Sequence, residues 1–205
     1  MKIKICGLNP TRDVQTCINL NVNFLGFVFY DKSPRNTNLK EISVLKKFNP
    51  TKSCYVSVCV DPTDTFIQEN ILGNFEYIQL HGSETSERVK EINKMGLKVI
   101  KAIKVEKQKD IDLYKDYEDV ADLILFDSTS MEKSQSIPKD LIHKLPKGEK
   151  FGLAGAINLQ NIREYSQLGF NFLDLSSGLE RENLKGYKDH LKIKNFMNKI
   201  NELKN

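Results

Sequence analysis

Two reactive side chains stand at the ends of apolar strand candidates. Cys6 closes the run Lys2-Ile3-Lys4-Ile5-Cys6, directly before Gly7, and Asp127 closes Leu123-Ile124-Leu125-Phe126-Asp127. A thiol and a carboxyl at strand tips, more than half the chain apart in sequence, suit a base and an acid facing one pocket. That pairing moves protons on a small substrate. The competing readings are a cysteine acting as a small buried hydrophobe and an aspartate capping the polar turn at Ser128-Thr129.

To bring such groups together the chain must place many strand ends on one side. Strand candidates recur along the whole sequence: Lys2–Cys6, Phe24–Phe29, Cys54–Val60, Phe75–Leu80, Leu97–Val105, Ala121–Asp127, Lys150–Gly155 and Phe170–Leu175. Amphipathic helix candidates lie between them. Asn9-Pro10 offers a cap and a first-turn proline, Ser83 is placed to cap a helix ending at Met95-Gly96, and Asn158 to open one closed by Gly169. The last helix carries Ile193, Phe196, Met197 and Ile200 on one stripe.

Eight β-then-α units predict a single (β/α)8 TIM barrel with short loops, one catalytic domain over residues 1–205. Strands rich in Val, Ile, Leu and Phe fit a parallel sheet buried on both faces. A barrel puts its active site at the C-terminal strand ends. Those ends carry Cys6-Gly7, Tyr30 to Arg35, Asp61, His81-Gly82, Asp127, Gly155 and Ser176-Ser177-Gly178.

Composition narrows the classes further. Hydrophobic residues at 40% and charged residues at 28% are ordinary for a globular protein. The net charge of +4 is mild and the lysines are scattered, favouring small anionic ligands over nucleic acid. No run approaches the ~20 apolar residues of a membrane span, and the N-terminus lacks a signal-peptide profile. Cys6, Cys17, Cys54 and Cys59 show neither a disulfide framework nor metal-ligand spacing, so a reducing cytoplasm and no metal are expected. Cys54 and Cys59 on one strand would face opposite sides.

The segments Lys4-Ile5-Cys6-Gly7-Leu8, Gly26-Phe27-Val28-Phe29-Tyr30-Asp31-Lys32-Ser33-Pro34-Arg35, Gln79-Leu80-His81-Gly82 and Asp174-Leu175-Ser176-Ser177-Gly178-Leu179-Glu180, followed by Gly186-Tyr187-Lys188-Asp189, resemble phosphoribosylanthranilate isomerase. The match keeps its order from residue 2 to about residue 200. The resemblance implies a (β/α)8 barrel without metal or organic cofactor. It also implies a phosphorylated sugar-anthranilate substrate and the third step of tryptophan biosynthesis from chorismate, an Amadori rearrangement. Barrels of this kind occur as monomers and homodimers.

By the resemblance Asp127 is the general acid and Cys6 the general base. An apolar setting after Leu125-Phe126 would raise the carboxyl pKa, as a donor near neutrality requires. A thiol titrates near about 8.5, so Cys6 must ionise more easily than free cysteine. Strand alternation puts Lys4 on the same side, and its charge would favour the thiolate. Arg35 is implied for the anthranilate carboxylate, which its planar fork suits. His81 and Asp174, with Gln79, line the pocket; a neutral histidine satisfying a neighbour reads as well for His81 as a catalytic one. The phosphate is expected after the last two strands, on backbone amides around Gly155, Ala156, Ser177 and Gly178.

Two departures from the family stand out. Its Gly-rich loop after the sixth strand is replaced here by a Ser128–Pro138 segment with no glycine or tryptophan, where Ser134 and Ser136 offer hydroxyls. Ala156 stands where a glycine is usual. Weaker substrate binding is expected. The rivals are a catalytically silent barrel that binds a phosphosugar, and the histidine-pathway aminoaldose isomerase, which would have an aspartate where this chain has Cys6.

Overall fold

Every residue of Phe24–Phe29 is buried, and two-sided burial of this kind is what a parallel strand inside a ring of helices undergoes. The computed structural model describes residues 1–128 and 136–204. Its strands are β1 (Lys2–Cys6), β2 (Phe24–Phe29), β3 (Cys54–Cys59), β4 (Tyr77–Leu80), β5 (Lys98–Lys104), β6 (Leu123–Asp127), β7 (Gly148–Ala154) and β8 (Phe170–Leu175). They pair in parallel in sequence order, and β8 closes on β1 with Lys4 opposite Asp174. The expected eight-stranded barrel is present.

Side-chain alternation divides the core in two. Phe24, Val28, Val56, Val58, Ile100, Leu125 and Phe172 fill the inside of the barrel, with Cys6 and Cys54 packed against them. A larger shell, including Ile3, Ile5, Leu25, Phe27, Ile78, Ile124 and Phe126, meets the helices. Cys59 lies in that outer shell, so the two cysteines of β3 do face opposite ways. Edge-on contacts of Phe24 with Tyr77 and Phe172, at 5.3 and 5.7 Å, close the lower half of the interior.

The connecting segments are short: α1 (Val14–Asn19), a 3-10 stretch Leu39–Lys47, α2 (Asp64–Phe66) running into a wider turn to Ile71, α3 (Ser86–Lys94), α4 (Gln108–Ile111), α5 (Lys139–Lys144), α6 (Ile162–Ser166) and α7 (His190–Lys204). Asn9 organises the approach to α1, its Oδ1 accepting from the amides of Thr11 and Arg12. Two expected caps move. Thr85, not Ser83, caps α3 by accepting from the Arg88 amide, and Ser83 stays in the preceding loop with its backbone amide donating to Asp61 Oδ1. Asn158 folds a turn through the amides of Gln160 and Asn161, and the helix proper begins at Ile162.

One element was not foreseen. It is the hairpin of β9 (Glu180–Arg181) and β10 (Leu184–Lys188), which follows the short helical turn expected near Gly178 and found as a single 3-10 turn, Ser177–Leu179. Asn183 takes the left-handed conformation that a tight hairpin needs, φ 61°. Among the described residues no helix is long and apolar enough to cross a membrane.

Candidate functional site

The inward side chains at the C-terminal end of the barrel are charged, and the site begins with how they are held. Lys4 on β1 is fully buried, and its Nζ donates to Asp174 Oδ2 on β8 at 2.8 Å. Burial opposes its charge, but Asp174 and Cys6 together hold the ammonium above the ordinary lysine range. Gly26 on β2 makes this packing possible. A Cβ there would lie 3.2 Å from Lys4 Nζ and 3.3 Å from Cys6 Sγ, in the gap where the two meet.

Cys6 is half-buried, with its carbonyl accepting from Ser176 Oγ at 3.1 Å. Burial pushes its thiol above the ordinary range, Lys4 and Lys188 pull against that, and Asp174 adds to it. The expected easy ionisation is not found, because desolvation outweighs the nearby cations. Gly7 follows at φ 75°, with both its amide and that of Leu8 donating to the Gly26 carbonyl at 3.0 Å. Glycine is required there twice over: for the angle, and because a Cβ would reach within 2.5 Å of Arg35 Cδ.

Asp127 ends β6, with Oδ1 accepting from the Ser128 amide at 2.7 Å. Burial raises its carboxyl to about 6, against the pull of that amide, Lys4 and Lys104. The apolar setting read from Leu125-Phe126 has the anticipated sign. Its Oδ2 lies 3.4 Å from His81 Nε2, and His81 Nδ1 lies 3.1 Å from Gln79 Nε2. Burial, then Lys4 and Lys104, lowers His81 to about 4, so the imidazole is neutral and its contact with Asp127 is not an ion pair.

Arg35 leans across from the β2 loop. Its Nε and Nη2 donate to Glu180 Oε1 and Oε2 at 2.6 and 3.1 Å, using one edge of the guanidinium. Burial works against the Glu180 charge, but Arg35 and Lys188 hold the carboxyl below its ordinary range. Lys188, buried on β10, donates to Glu180 Oε1 and to the Ser176 carbonyl. Neither Glu180 nor Lys188 stood out in the sequence as part of the site, although both fall inside the quoted motifs. Their parity in a hairpin was not legible.

The loops after β7 and β8 touch. Gly155 has φ 104°, Ala156 has φ 51°, and the Ala156 carbonyl accepts from the side-chain amides of Asn158 and Asn161. A Cβ on Gly178 would sit 2.5 Å from the Ile157 carbonyl oxygen, and Ser177 opens the turn beside it. Ala156 adopts the left-handed conformation that glycine favours, so its methyl group stands in a strained turn. Most of the loop after β6, including Ser134, lies outside the described residues; Ser136 is described and exposed.

A second buried pair braces the other side of the mouth. Lys101 and Glu84 meet at 2.7 Å, and Glu84 also accepts from the amides of Asp61 and Gly82. Beside it, a cleft of about 460 Å3 runs over β3 to β5, lined by Tyr30, Asp61, His81, Lys104 and Tyr117 among others. Cys6, Arg35, His81, Asp127 and Asp174 thus share one end of the barrel with the two phosphate-loop candidates. That end combines a neutral-leaning carboxyl, a thiol, a buried ammonium and an arginine, a set suited to proton transfer on an anion.

The family model for N-(5'phosphoribosyl)anthranilate (PRA) isomerase matches residues 3–199. An N-(5'-phosphoribosyl)anthranilate isomerase of Mesorhizobium japonicum is 31% identical over 210 residues, covering 98% of this chain and 95% of that one. The crystal structure of phosphoribosyl anthranilate isomerase from Thermotoga maritima superposes with a TM-score of 0.85 at 26% identity, covering 98% of this chain and 99% of that one. Another structure of such an isomerase, in complex with reduced 1-(o-carboxyphenylamino)-1-deoxyribulose 5-phosphate, gives 0.81 at 26% identity, covering 98% of this chain and 99% of that one.

Proposed function

Because the chain belongs to the N-(5'-phosphoribosyl)anthranilate isomerase family, we propose that it rearranges its substrate with Cys6 as general base and Asp127 as general acid. The enzyme is an isomerase of tryptophan biosynthesis acting on a small phosphorylated substrate. The reaction is an Amadori rearrangement, N-(5-phosphoribosyl)anthranilate becoming 1-(2-carboxyphenylamino)-1-deoxyribulose 5-phosphate.

Asp127 gives its proton to the furanose ring oxygen, the ring C–O bond breaks, and the anthranilate nitrogen forms a Schiff base with C1 of the sugar. Cys6 takes the proton from C2, and those electrons neutralise the iminium to give an enolamine. Proton return to C1 and loss of the hydroxyl proton at C2 yield the ketone. No atom is gained or lost.

The observation that carries this reading is Asp127 itself: a carboxyl raised to about 6 by burial keeps a usable share of its protons near neutrality. Arg35 supports binding of the anthranilate carboxylate. With Nε and one Nη2 hydrogen committed to Glu180, the edge formed by Nη1 and the second Nη2 hydrogen remains for a two-point grip. Asp174 Oδ1 is buried without a partner among the described residues and suits a sugar hydroxyl, and His81 flanks it. Gly155, Ala156, Ser177 and Gly178 supply amides for the phosphate where barrels commonly bind one.

Turnover can be followed by the loss of anthranilate-type fluorescence on adding substrate, with low protein background because the chain has no tryptophan. Wild type is expected to turn over and Cys6→Ala is not. Full activity after Cys6→Ala would remove the thiol from the mechanism.

A further inference from the structure

Gln79 stands on β4 directly below His81, two residues away and therefore on the same inward face. It is buried to 1% exposure in a barrel interior filled by apolar side chains and by the Lys4–Asp174 pair. A carboxamide there needs a reason, since burying one with an unmet group is costly. Its Oε1 has no hydrogen-bond partner among the described residues, while its Nε2 is directed at His81 Nδ1 at 3.1 Å. The amide is thus kept for a single contact, with the histidine.

We infer that Gln79 is a positioning residue for the acid: by donating to Nδ1 of His81 it fixes the imidazole tautomer that carries its hydrogen on Nε2, facing Asp127. The inference rests on the reading of Asp127 as the general acid.

The two tautomers have opposite consequences 3.4 Å away, at Asp127 Oδ2. With hydrogen on Nδ1, the bare Nε2 accepts the Asp127 proton and draws it away from the sugar ring. With hydrogen on Nε2, the imidazole can only donate. The Asp127 proton then has no acceptor in His81, and the carboxylate left after transfer gains a donor beside the Ser128 amide. A separation of 3.4 Å is long for this bond, as such contacts often are before substrate tightens them.

The surroundings keep the imidazole neutral, so that tautomer and not charge is the variable. Burial foremost, then Lys4 of β1 and Lys104 and Lys101 of β5, opposes its protonation against Asp174 of β8, while Asp127 of β6 lies 3.4 Å from its Nε2. A neutral histidine between a fixed donor and a working carboxyl is oriented through its far nitrogen, as ring partners commonly do.

Nitrogen NMR of protein labelled at its three histidines reads the tautomer directly. His81→Asn identifies the relevant signals. Wild type is expected to show the Nε2–H form. Gln79→Met should give a mixture, and Gln79→Glu, whose carboxylate accepts from Nδ1, should give the Nδ1–H form or imidazolium. In turnover, both variants should lower kcat roughly 10-fold or more with KM changed less than about threefold. Gln79→Glu is nearly isosteric, so it and the wild-type spectrum serve if Gln79→Met folds poorly. An Nδ1–H form in wild type, or wild-type kcat in Gln79→Glu with the tautomer reversed, overturns the inference. Asp127→Asn in parallel separates the causes: if it stays active the acid is misassigned, whereas an inactive Asp127→Asn beside unaffected Gln79 variants sinks the Gln79 role alone.

Discussion

Arg35 and Glu180 are joined by two hydrogen bonds, 2.6 and 3.1 Å long, between a loop after β2 and the first residue of β9. The pair fixes the plane of the guanidinium before any substrate arrives, so that its free edge is already oriented. Lys188 adds to the arrangement by donating to Glu180 Oε1, the oxygen that also accepts from Arg35 Nε.

Removing the fork should therefore act on binding. Arg35→Ala is expected to raise KM roughly 10- to 100-fold with a smaller change in kcat. Glu180→Gln, which keeps the shape but weakens the hold, should raise KM less. Steady-state kinetics on both variants decide it, and a loss confined to kcat in Arg35→Ala would refute the carboxylate role.

The proton-transfer pair should behave oppositely. Cys6→Ala and Asp127→Asn are each expected to lower kcat roughly 100- to 10,000-fold while KM moves little. Single-turnover measurements with enzyme in excess separate this chemistry from product release. If either variant loses affinity and keeps its rate, its residue binds substrate and does not move protons.

The proposed mechanism requires Asp127 protonated and Cys6 ionised at once. Burial raises the acid to about 6 and lifts the thiol above its usual range, so this is the minority pairing. Between the two pKa values its share stays constant, because a pH rise ionises thiol and acid in the same proportion. A plateau in kcat/KM is expected above about 6. Below it, Asp127 is already protonated and further acid only removes thiolate. Above the thiol pKa, alkali only removes the acid. A kcat/KM that climbs steadily between about pH 6.5 and 8 would contradict the assignment.

Asp127 also sets a conflict between activity and stability. Its folded pKa of about 6 exceeds the reference 3.8, so the folded state holds the proton more tightly. The stabilising contribution is full in acid, below the unfolded pKa, and is lost as pH rises through about 6. Asp127→Asn should accordingly be more stable than wild type at neutral pH, by up to about 3 kcal/mol, and inactive. Urea unfolding at acid and neutral pH tests this: the advantage must shrink in acid.

Ala156 offers a gain of both kinds. A left-handed φ of 51° disfavours any residue with a Cβ, and Ala156→Gly should raise stability by about 0.5–1 kcal/mol. The same change should lower KM if the methyl group crowds the phosphate. A KM that stays put or rises would show the turn to be well suited to alanine.

The eight strands were legible because a parallel strand buried on both faces reads as a short, near-continuous apolar run, and their inward parity followed from the two-residue side-chain period. Phe24–Phe29 and Phe170–Leu175 keep their expected bounds. Cap positions were less legible: Ser83 and Thr85 offer equivalent hydroxyls two residues apart, and sequence alone does not say at which of them the helix begins. At the site, residue type located Cys6, Asp127 and Arg35 but not what surrounds them. The Lys101–Glu84 pair and the Lys188–Glu180 contact join residues of different elements, which parity within one strand does not reveal, whereas the nearness of Gln79 to His81 was readable from that parity. The direction of the Cys6 shift was also hidden, because Lys4 was visible in the sequence and the extent of burial was not.

Gly186, in the middle of β10, lies so near the β2 loop that a Cβ on it would come within 2.3 Å of the Pro34 carbonyl oxygen. The hairpin after the last strand is thus a backstop for the loop carrying the arginine. Any side chain introduced at position 186 would push that loop outward and swing the guanidinium off its aim, while leaving thiol, carboxyl and barrel untouched. Damage at this remote contact would masquerade as a loss of appetite for the aromatic half of the substrate.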